Sequence, residues 1–235
     1  MLTLSDLKHI WGRVVFRYAG RNISAGNATR SRRFYNLIGK LYDWLYADHI
    51  YGYRQAALYM MDRYIESGDS VLDIGCGTGL LMEMAQDRAR MMVGVDLSLG
   101  MLKQARNKLN HCEQAYLIAS DCRMLPLRGG FDKIVSSFMF VILSQDDQKK
   151  VVNNLASLLN ENGSFVFLSA RDEFSPEWLT NDQWRSLCLQ AGMAKVEIQD
   201  VYDYYRIVVA QKCVIPHVVE EKSGKNLVAS DSDHT

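Results

Sequence analysis

A stretch with three glycines and an aspartate, VLDIGCGTG at 71–79, has the residue types and spacing to hold a ligand. Glycine has no side chain, so a glycine loop after a strand can turn sharply and let a ligand approach the main chain. The spacing is G-x-G-x-G, whereas dinucleotide sites use G-x-G-x-x-G and face a pyrophosphate. Asp73 precedes the loop, and its carboxylate would repel a diphosphate but attract an ammonium group. These residues therefore point to a ligand that carries an ammonium group.

Two further aspartates follow the next predicted strands. Asp96 ends MMVGVD at 91–96, and Asp121 follows a predicted strand at 115–119. In an open parallel sheet, ligands bind beyond the carboxyl ends of the strands. Asp96 is placed to accept hydrogen bonds from both hydroxyls of a ribose, and Asp121 is placed to accept one from the amino group of an adenine. S-adenosylmethionine combines an amino acid, a sulfonium, a ribose and an adenine without a phosphate, and is the predicted cofactor.

Structural roles stay open at each of these positions. The three glycines could serve a tight turn alone, and Asp96 could cap the helix predicted at 98–109 together with Ser98. Asp121 could be an ordinary loop carboxylate. Cys76 is expected to be an inert small residue.

The surrounding elements predict an α/β fold. Alternation of strands and helices implies right-handed crossovers and a mostly parallel sheet. The last two predicted strands are joined by a short turn around Asp203 and must be antiparallel. We therefore expect a Rossmann-like, seven-stranded, mostly parallel sheet with an antiparallel C-terminal hairpin and helices on both faces. The predicted strands are 71–74, 91–96, 115–119, 133–138, 164–170, 194–202 and 205–211, and the helices between them are 79–89, 98–109, 146–160 and 178–191.

Composition and charge limit the classes of partner that the protein is expected to have. The chain has 27 basic and 27 acidic residues, but residues 1–42 carry eight basic residues and one acidic residue, a net charge of +7. The five cysteines form no CxxC pair, so we expect reduced thiols, no metal site and a cytoplasmic location. No run of 18 apolar residues predicts a membrane span.

The motifs, taken in order over residues 34–211, resemble the class I S-adenosylmethionine-dependent methyltransferases. The glycine loop is similar to their first motif, VGVDLS at 93–98 to their acidic strand end, and SDCRMLPL at 120–127 to their adenine-contacting segment. FDKIVSSFMF at 131–140 and LLNENGSFVF at 158–167 resemble their fourth strand and the helix, turn and fifth strand that follow. The cofactor-binding residues that this resemblance implies are Asp73, Gly75, Cys76, Gly77, Gly79, Asp96, Leu97, Met101, Asp121, Cys122 and Ser137.

The residue pattern and the resemblance together predict a domain organisation. Residues 1–33 are expected to form a basic amphipathic helix and a flexible linker, the linker being RNISAGNATRSRR at 21–33. Residues 34–215 would form the methyltransferase domain, with an N-terminal helical lid at 34–66. Residues 216–235 are polar and are expected to be disordered.

The tyrosine-rich segment 34–54 resembles the N-terminal helices of quinone-type methyltransferases and of small bacterial phosphatidylethanolamine methyltransferases. In those families an aromatic YD segment folds over the cofactor, which implies Tyr42 and then Tyr35 as the residues that close the site. Tyrosine faces near a sulfonium contribute about 0.5–2 kcal/mol of cation–π attraction. His49 is the best-placed histidine for a general base. Ordinary helix packing of the tyrosines and a surface histidine are the alternatives.

The acceptor is predicted to be small and lipophilic, of the quinol-precursor or ethanolamine-phospholipid type. SSFMFVIL at 136–143 lacks the Pro-containing motifs of base-methylating enzymes, and Phe138, Met139 and Phe140 suggest an apolar wall instead. Residues 1–33 could contact an anionic membrane, pack on their own domain or form a dimer contact. Nucleic acid is not expected as a partner. A catalytically silent S-adenosylmethionine-binding module with a regulatory or assembly role is the alternative function.

Overall fold

The computed structural model describes residues 28–43, 52–174 and 178–212. Seven strands form one sheet in the order β3-β2-β1-β4-β5-β7-β6. Strands β1 to β5 are parallel, and β7 is antiparallel to both β5 and β6. The predicted Rossmann-like sheet with an antiparallel C-terminal hairpin is therefore confirmed. The strands are β1 Ser70–Ile74, β2 Met91–Asp96, β3 Ala115–Ala119, β4 Phe131–Ser137, β5 Leu159–Ala170, β6 Met193–Val201 and β7 Tyr205–Lys212.

Polar side chains cap the start of three of the described helices. Ser98 accepts a hydrogen bond from the Met101 amide, and Ser144 caps the helix after β4 in the same way. Thr180 and Gln183 form a capping box. The α-helices of the described ranges are α1 Ala28–Ile38, α2 Tyr53–Tyr64, α3 Leu80–Ala85, α4 Leu99–Lys108, α5 Gln145–Leu158 and α6 Asn181–Gln190, with 3₁₀ turns at Gly39–Leu41, Phe140–Ile142 and Asp172–Phe174.

The core lies on both faces of the sheet. Strand β1 is buried along its whole length, and successive side chains point to opposite faces. Val71 therefore packs in the cluster that contains α2 and α3, while Leu72 and Ile74 pack in the cluster that contains α5 and α6. This alternation places Asp73 on the same face as Val71.

Two segments differ most from the sequence expectation. Helix α1 begins at Ala28, so residues 28–33 are helical rather than part of a flexible linker. Strand β5 begins at Leu159, directly after α5, where we predicted a helix end and a turn. The physical reason is that Leu159 already pairs with Phe131 of β4. The next pair is Ser164 with Lys133, so the register shifts and three additional residues of β5 are accommodated between the two pairs.

The remaining predictions at the two ends of the chain fall on residues outside the described ranges. These are the amphipathic helix within residues 1–27 and the disordered tail 216–235. None of the helices in the described ranges has the length and apolar character that crossing a bilayer requires.

Candidate active site

The glycine loop joins β1 to α3 and needs glycine at its three positions. Gly75, Gly77 and Gly79 have φ values of 71°, 55° and 78°, a region that other residues rarely adopt. A Cβ atom at Gly75 would lie 2.7 Å from Cγ of Met139. The loop is held against β2, because the amides of Gly75 and Cys76 both donate to the carbonyl of Val95. The backbone of this loop is thus open to a ligand and fixed in place.

Asp96 ties the end of β2 to the glycine loop. Its Oδ2 accepts a hydrogen bond from the Gly77 amide at 2.9 Å, and its Oδ1 accepts one from the Ser98 amide at 2.7 Å. The pKa of Asp96 is raised, because the effect of burial is larger than the opposing effect of these backbone donors. Each carboxylate oxygen carries a second lone pair, so the side chain can still accept from a ligand in the cavity that it lines.

Asp73 is a buried carboxylate whose oxygens lack a hydrogen-bond donor among the described residues. The residue is 1% exposed, and burial, followed by repulsion from Asp96, raises the pKa of Asp73 to about 8. It lines a small cavity under the glycine loop together with Tyr53, Thr78 and Ser137. An unpaired buried carboxylate is costly unless a donor or a cation reaches it. The site is therefore suited to an ammonium group.

A larger cavity opens beyond the carboxyl ends of β1, β2 and β4. It is lined by eight of the predicted cofactor residues, namely Gly75, Gly77, Asp96, Leu97, Met101, Asp121, Cys122 and Ser137. Asp73 and Cys76 line the small cavity, which shares Gly75, Gly77 and Ser137 with the large one. Gly79 lines neither cavity and serves as the N-terminal cap residue of α3.

Asp121 lines the large cavity, but both oxygens of its carboxylate already accept hydrogen bonds from an arginine. Arg123 donates from Nε to Oδ1 at 2.9 Å and from Nη2 to Oδ2 at 2.6 Å, and it also reaches Asp147 at 3.3 Å. The pKa of Asp121 is lowered chiefly by the hydrogen bonds from Arg123. Acceptance from an adenine amino group stays a prediction, because the guanidinium competes for the same oxygens.

Two tyrosines from the first part of the predicted lid, residues 34–43, lie at the cavity. Tyr35 and Tyr42 both line the large cavity, with ring centroids 6.1 Å apart, and Tyr42 also lines the small one. The lid is attached to α4 through Asn36, whose Oδ1 accepts from the Gly100 amide at 2.9 Å and from Ser98 Oγ at 2.8 Å. His49 lies outside the described residues, so its role as a base stays a prediction.

The turn after β4 separates the predicted apolar wall into two environments. Phe138 and Met139 line the large cavity, whereas Phe140 is buried in the core against Phe167 and Trp184. Phe138 has φ 58°, an unfavourable value for a residue with a side chain. Such strain costs about 1–3 kcal/mol and is typical of functional sites.

Several residues of the site were not predicted from the sequence. Tyr53 Oη lies 2.9 Å from Ser137 Oγ, and burial raises the pKa of Tyr53 to about 12. Asp43 contacts the glycine loop through Thr78. The signal for Asp43 was its place directly after Tyr42 in the YD segment, whereas no sequence pattern marked Tyr53 apart from the other tyrosines. Within the described ranges, no group of three or more potential ligands could hold a metal ion.

Comparison with known proteins relates this site to methyltransferases. Residues 71–163 match the family model described as a methyltransferase domain, which includes the glycine loop, Asp96 and Asp121. An uncharacterised protein of Methanocaldococcus jannaschii is 31% identical over 140 residues, which covers 59% of this chain and 51% of the relative. A malonyl-[acyl-carrier protein] O-methyltransferase of Geobacter sulfurreducens is 31% identical, with 55% of this chain and 57% of the relative covered. The chain thus spans about half the length of these curated relatives.

A solved structure extends the comparison to the fold. The magnesium protoporphyrin IX methyltransferase of Synechocystis PCC 6803, determined with bound SAM, superposes with a TM-score of 0.64 at 19% identity. The alignment covers 80% of this chain and 98% of that one. At this identity the likeness shows that the two proteins share the fold.

Proposed function

We propose that this protein is a class I methyltransferase that uses S-adenosylmethionine as its methyl donor. The observation that carries the proposal is Asp73, a buried carboxylate that has no donor among the described residues and that lines a cavity directly under a glycine loop. A cofactor with a diphosphate would add negative charge beside Asp73 and Asp96, whereas an amino acid with a free ammonium group would supply the missing positive charge. The match of residues 71–163 to the methyltransferase domain supports the same proposal.

Different residues of the site would hold different parts of this cofactor. Asp73 would accept from the ammonium group, Asp96 from the ribose hydroxyls and Asp121 from the adenine, while the main chain of the glycine loop allows close approach. When bound, S-adenosylmethionine supplies a methyl group on a positively charged sulfur, which is already activated for displacement. The protein then has to align the acceptor and exclude water, and alignment can lower a barrier by about 7–11 kcal/mol. Tyr35 and Tyr42 would close the site over the sulfonium.

We further propose a small lipophilic acceptor of the quinol-precursor or ethanolamine-phospholipid type. The wall of the large cavity supports this, because Phe138, Met139, Ile142 and Leu143 present apolar side chains beside Ser137. The basic residues within 1–33 would bring the site to an anionic membrane, where each Lys or Arg contributes about 1 kcal/mol. Co-sedimentation with phosphatidylglycerol-containing vesicles tests this contact. The full chain should pellet at low salt and a chain without residues 1–27 should not; equal sedimentation would exclude the contact.

Calorimetric titration of S-adenosylmethionine into the wild type, Asp96→Ala and Asp62→Ala tests the cofactor assignment. The wild type should bind in the micromolar range, and Asp96→Ala should weaken binding at least tenfold, about 1.4 kcal/mol. Asp62 is a matched control, because it is an exposed aspartate on α2 that pairs with Arg88 away from the cavity. Failure of the folded wild type to bind would overturn the proposal. Binding without turnover on membrane and cell extracts would favour the silent binding module.

A further inference from the structure

Asp43 lies where the lid segment meets the glycine loop. Its Oδ1 accepts a hydrogen bond from Oγ1 of Thr78 at 2.5 Å, and its Oδ2 accepts one from Nζ of Lys108 at 2.8 Å. Thr78 is 3% exposed and belongs to the glycine loop, while Lys108 ends α4 and is also 3.5 Å from Glu83. The carboxylate of Asp43 thus joins three elements that are separate in the chain.

The same carboxylate faces the small cavity that contains Asp73. Asp43 and Asp73 are both among the residues that line it, together with Tyr42 from the lid. Lys108 balances part of the charge of Asp43, whereas Asp73 has neither an ion-pair partner nor a hydrogen-bond donor among the described residues. A cation in this cavity would therefore favour the ionised form of Asp73, and it would be attracted by that carboxylate from β1 and by a second carboxylate from the lid.

We infer that Asp43 is a cofactor-positioning residue that couples docking of the lid to occupation of the ammonium site beside Asp73. This inference rests on the proposed function, because the ammonium group is that of the cofactor. A cation in the small cavity favours the position of Asp43 seen here, and this position holds residues 28–43 against the glycine loop. By linkage, a docked lid strengthens ammonium binding by the same factor.

The geometry of the lid supports coupling through a few contacts. Its other attachment is the pair of hydrogen bonds that Asn36 accepts from Ser98 and Gly100, at the start of α4. Tyr35 directly precedes Asn36 and Tyr42 directly precedes Asp43, and both tyrosines line the large cavity. Loss of the Asp43 contact would remove the attachment of the lid to the glycine loop and would weaken the positioning of Tyr42, its neighbour in the chain.

Two ligands that differ only in the amino-acid portion test the inference. S-adenosylhomocysteine carries the ammonium group, whereas 5′-deoxy-5′-methylthioadenosine keeps the adenosine and the sulfur but lacks it. Asp43→Asn should weaken calorimetric binding of S-adenosylhomocysteine at least fivefold and that of methylthioadenosine less than twofold. Asp62→Asn, the matched surface control, should change neither. A purely structural role for Asp43 would weaken both ligands equally, and that result would overturn the inference.

Hydrogen exchange gives a readout of the lid itself. S-adenosylhomocysteine should slow amide exchange in residues 28–43 of the wild type, and this added protection should be lost in Asp43→Asn. Thr78→Val removes the hydroxyl that Asp43 accepts from but keeps the side-chain shape, so it should reproduce both effects if Asp43→Asn does not fold. Unchanged ligand-dependent protection in the folded variant would refute the coupling. If the wild type binds neither ligand, the proposed function itself fails, whereas wild-type binding with no effect of either variant overturns the role of Asp43 alone.

Discussion

Replacement of Asp73 by asparagine should change how the stability of the protein depends on pH. Burial and the nearby charge of Asp96 raise the pKa of Asp73 to about 8, from an ordinary value of 3.8. Between these two values the folded protein holds a proton on Asp73 that the unfolded chain has released. Stability therefore falls as pH rises, by about 1.4 kcal/mol for each pH unit. From pH 5 to pH 7 the wild type should lose roughly 2–3 kcal/mol from this group alone, whereas asparagine has no proton to lose.

Urea denaturation followed by tryptophan fluorescence at pH 5, 6 and 7 measures this difference. All other ionisable groups are shared, so the free energy of unfolding of Asp73→Asn minus that of the wild type isolates residue 73. The difference should increase with pH by roughly 2–3 kcal/mol across the range, whatever its absolute value at pH 5. Parallel pH profiles for the two proteins would refute the reasoning, because they would mean that Asp73 is ionised and solvated in the folded protein.

Two glycine substitutions should have different effects, one on the lid and the other on the core. A Cβ atom at Gly100 would lie 2.7 Å from the carbonyl oxygen of Asn36, so Gly100→Ala should undock α1 and speed amide exchange in residues 28–38. The thermal midpoint should not fall, since alanine favours α4 by about 0.5–1 kcal/mol over glycine; unchanged exchange would contradict this. A Cβ atom at Gly94 would lie 2.5 Å from Sδ of Met82 inside the core, so Gly94→Ala should cost about 1–3 kcal/mol in chemical denaturation. An unaltered denaturation midpoint would show that the core absorbs the methyl group.

The sheet could be predicted in most of its detail because most of its strands are short apolar segments between polar loops. Strands β2 and β3 have the predicted bounds, and their residues give continuous apolar runs that end at an aspartate or a polar loop. The hairpin of β6 and β7 followed from a connection that is too short for a parallel return. In these strands the local sequence pattern and the tertiary packing favour the same structure.

The two misplaced segments show where local patterns are insufficient. Residues 28–33 are polar and basic, and nothing local distinguishes them from a linker, because short helices are stabilised mainly by tertiary packing. Helix α1 is held by the contacts of Asn36 with α4 instead. The start of β5 at Leu159 depends on its pairing with Phe131, a partner that the sequence of β5 does not identify.

At the candidate site, the sequence by itself determined which carboxylates stand at the ends of β1 and β2, because strand and loop alternate in a regular way. Only the tertiary structure decided what each carboxylate meets. Within the described part of the chain Asp73 has no donor, Asp121 pairs with Arg123, and Asp43 contacts a threonine 35 residues along the chain. The physical reason is that desolvation and ion pairing depend on distances between atoms that are remote in sequence, and packing alone sets those distances.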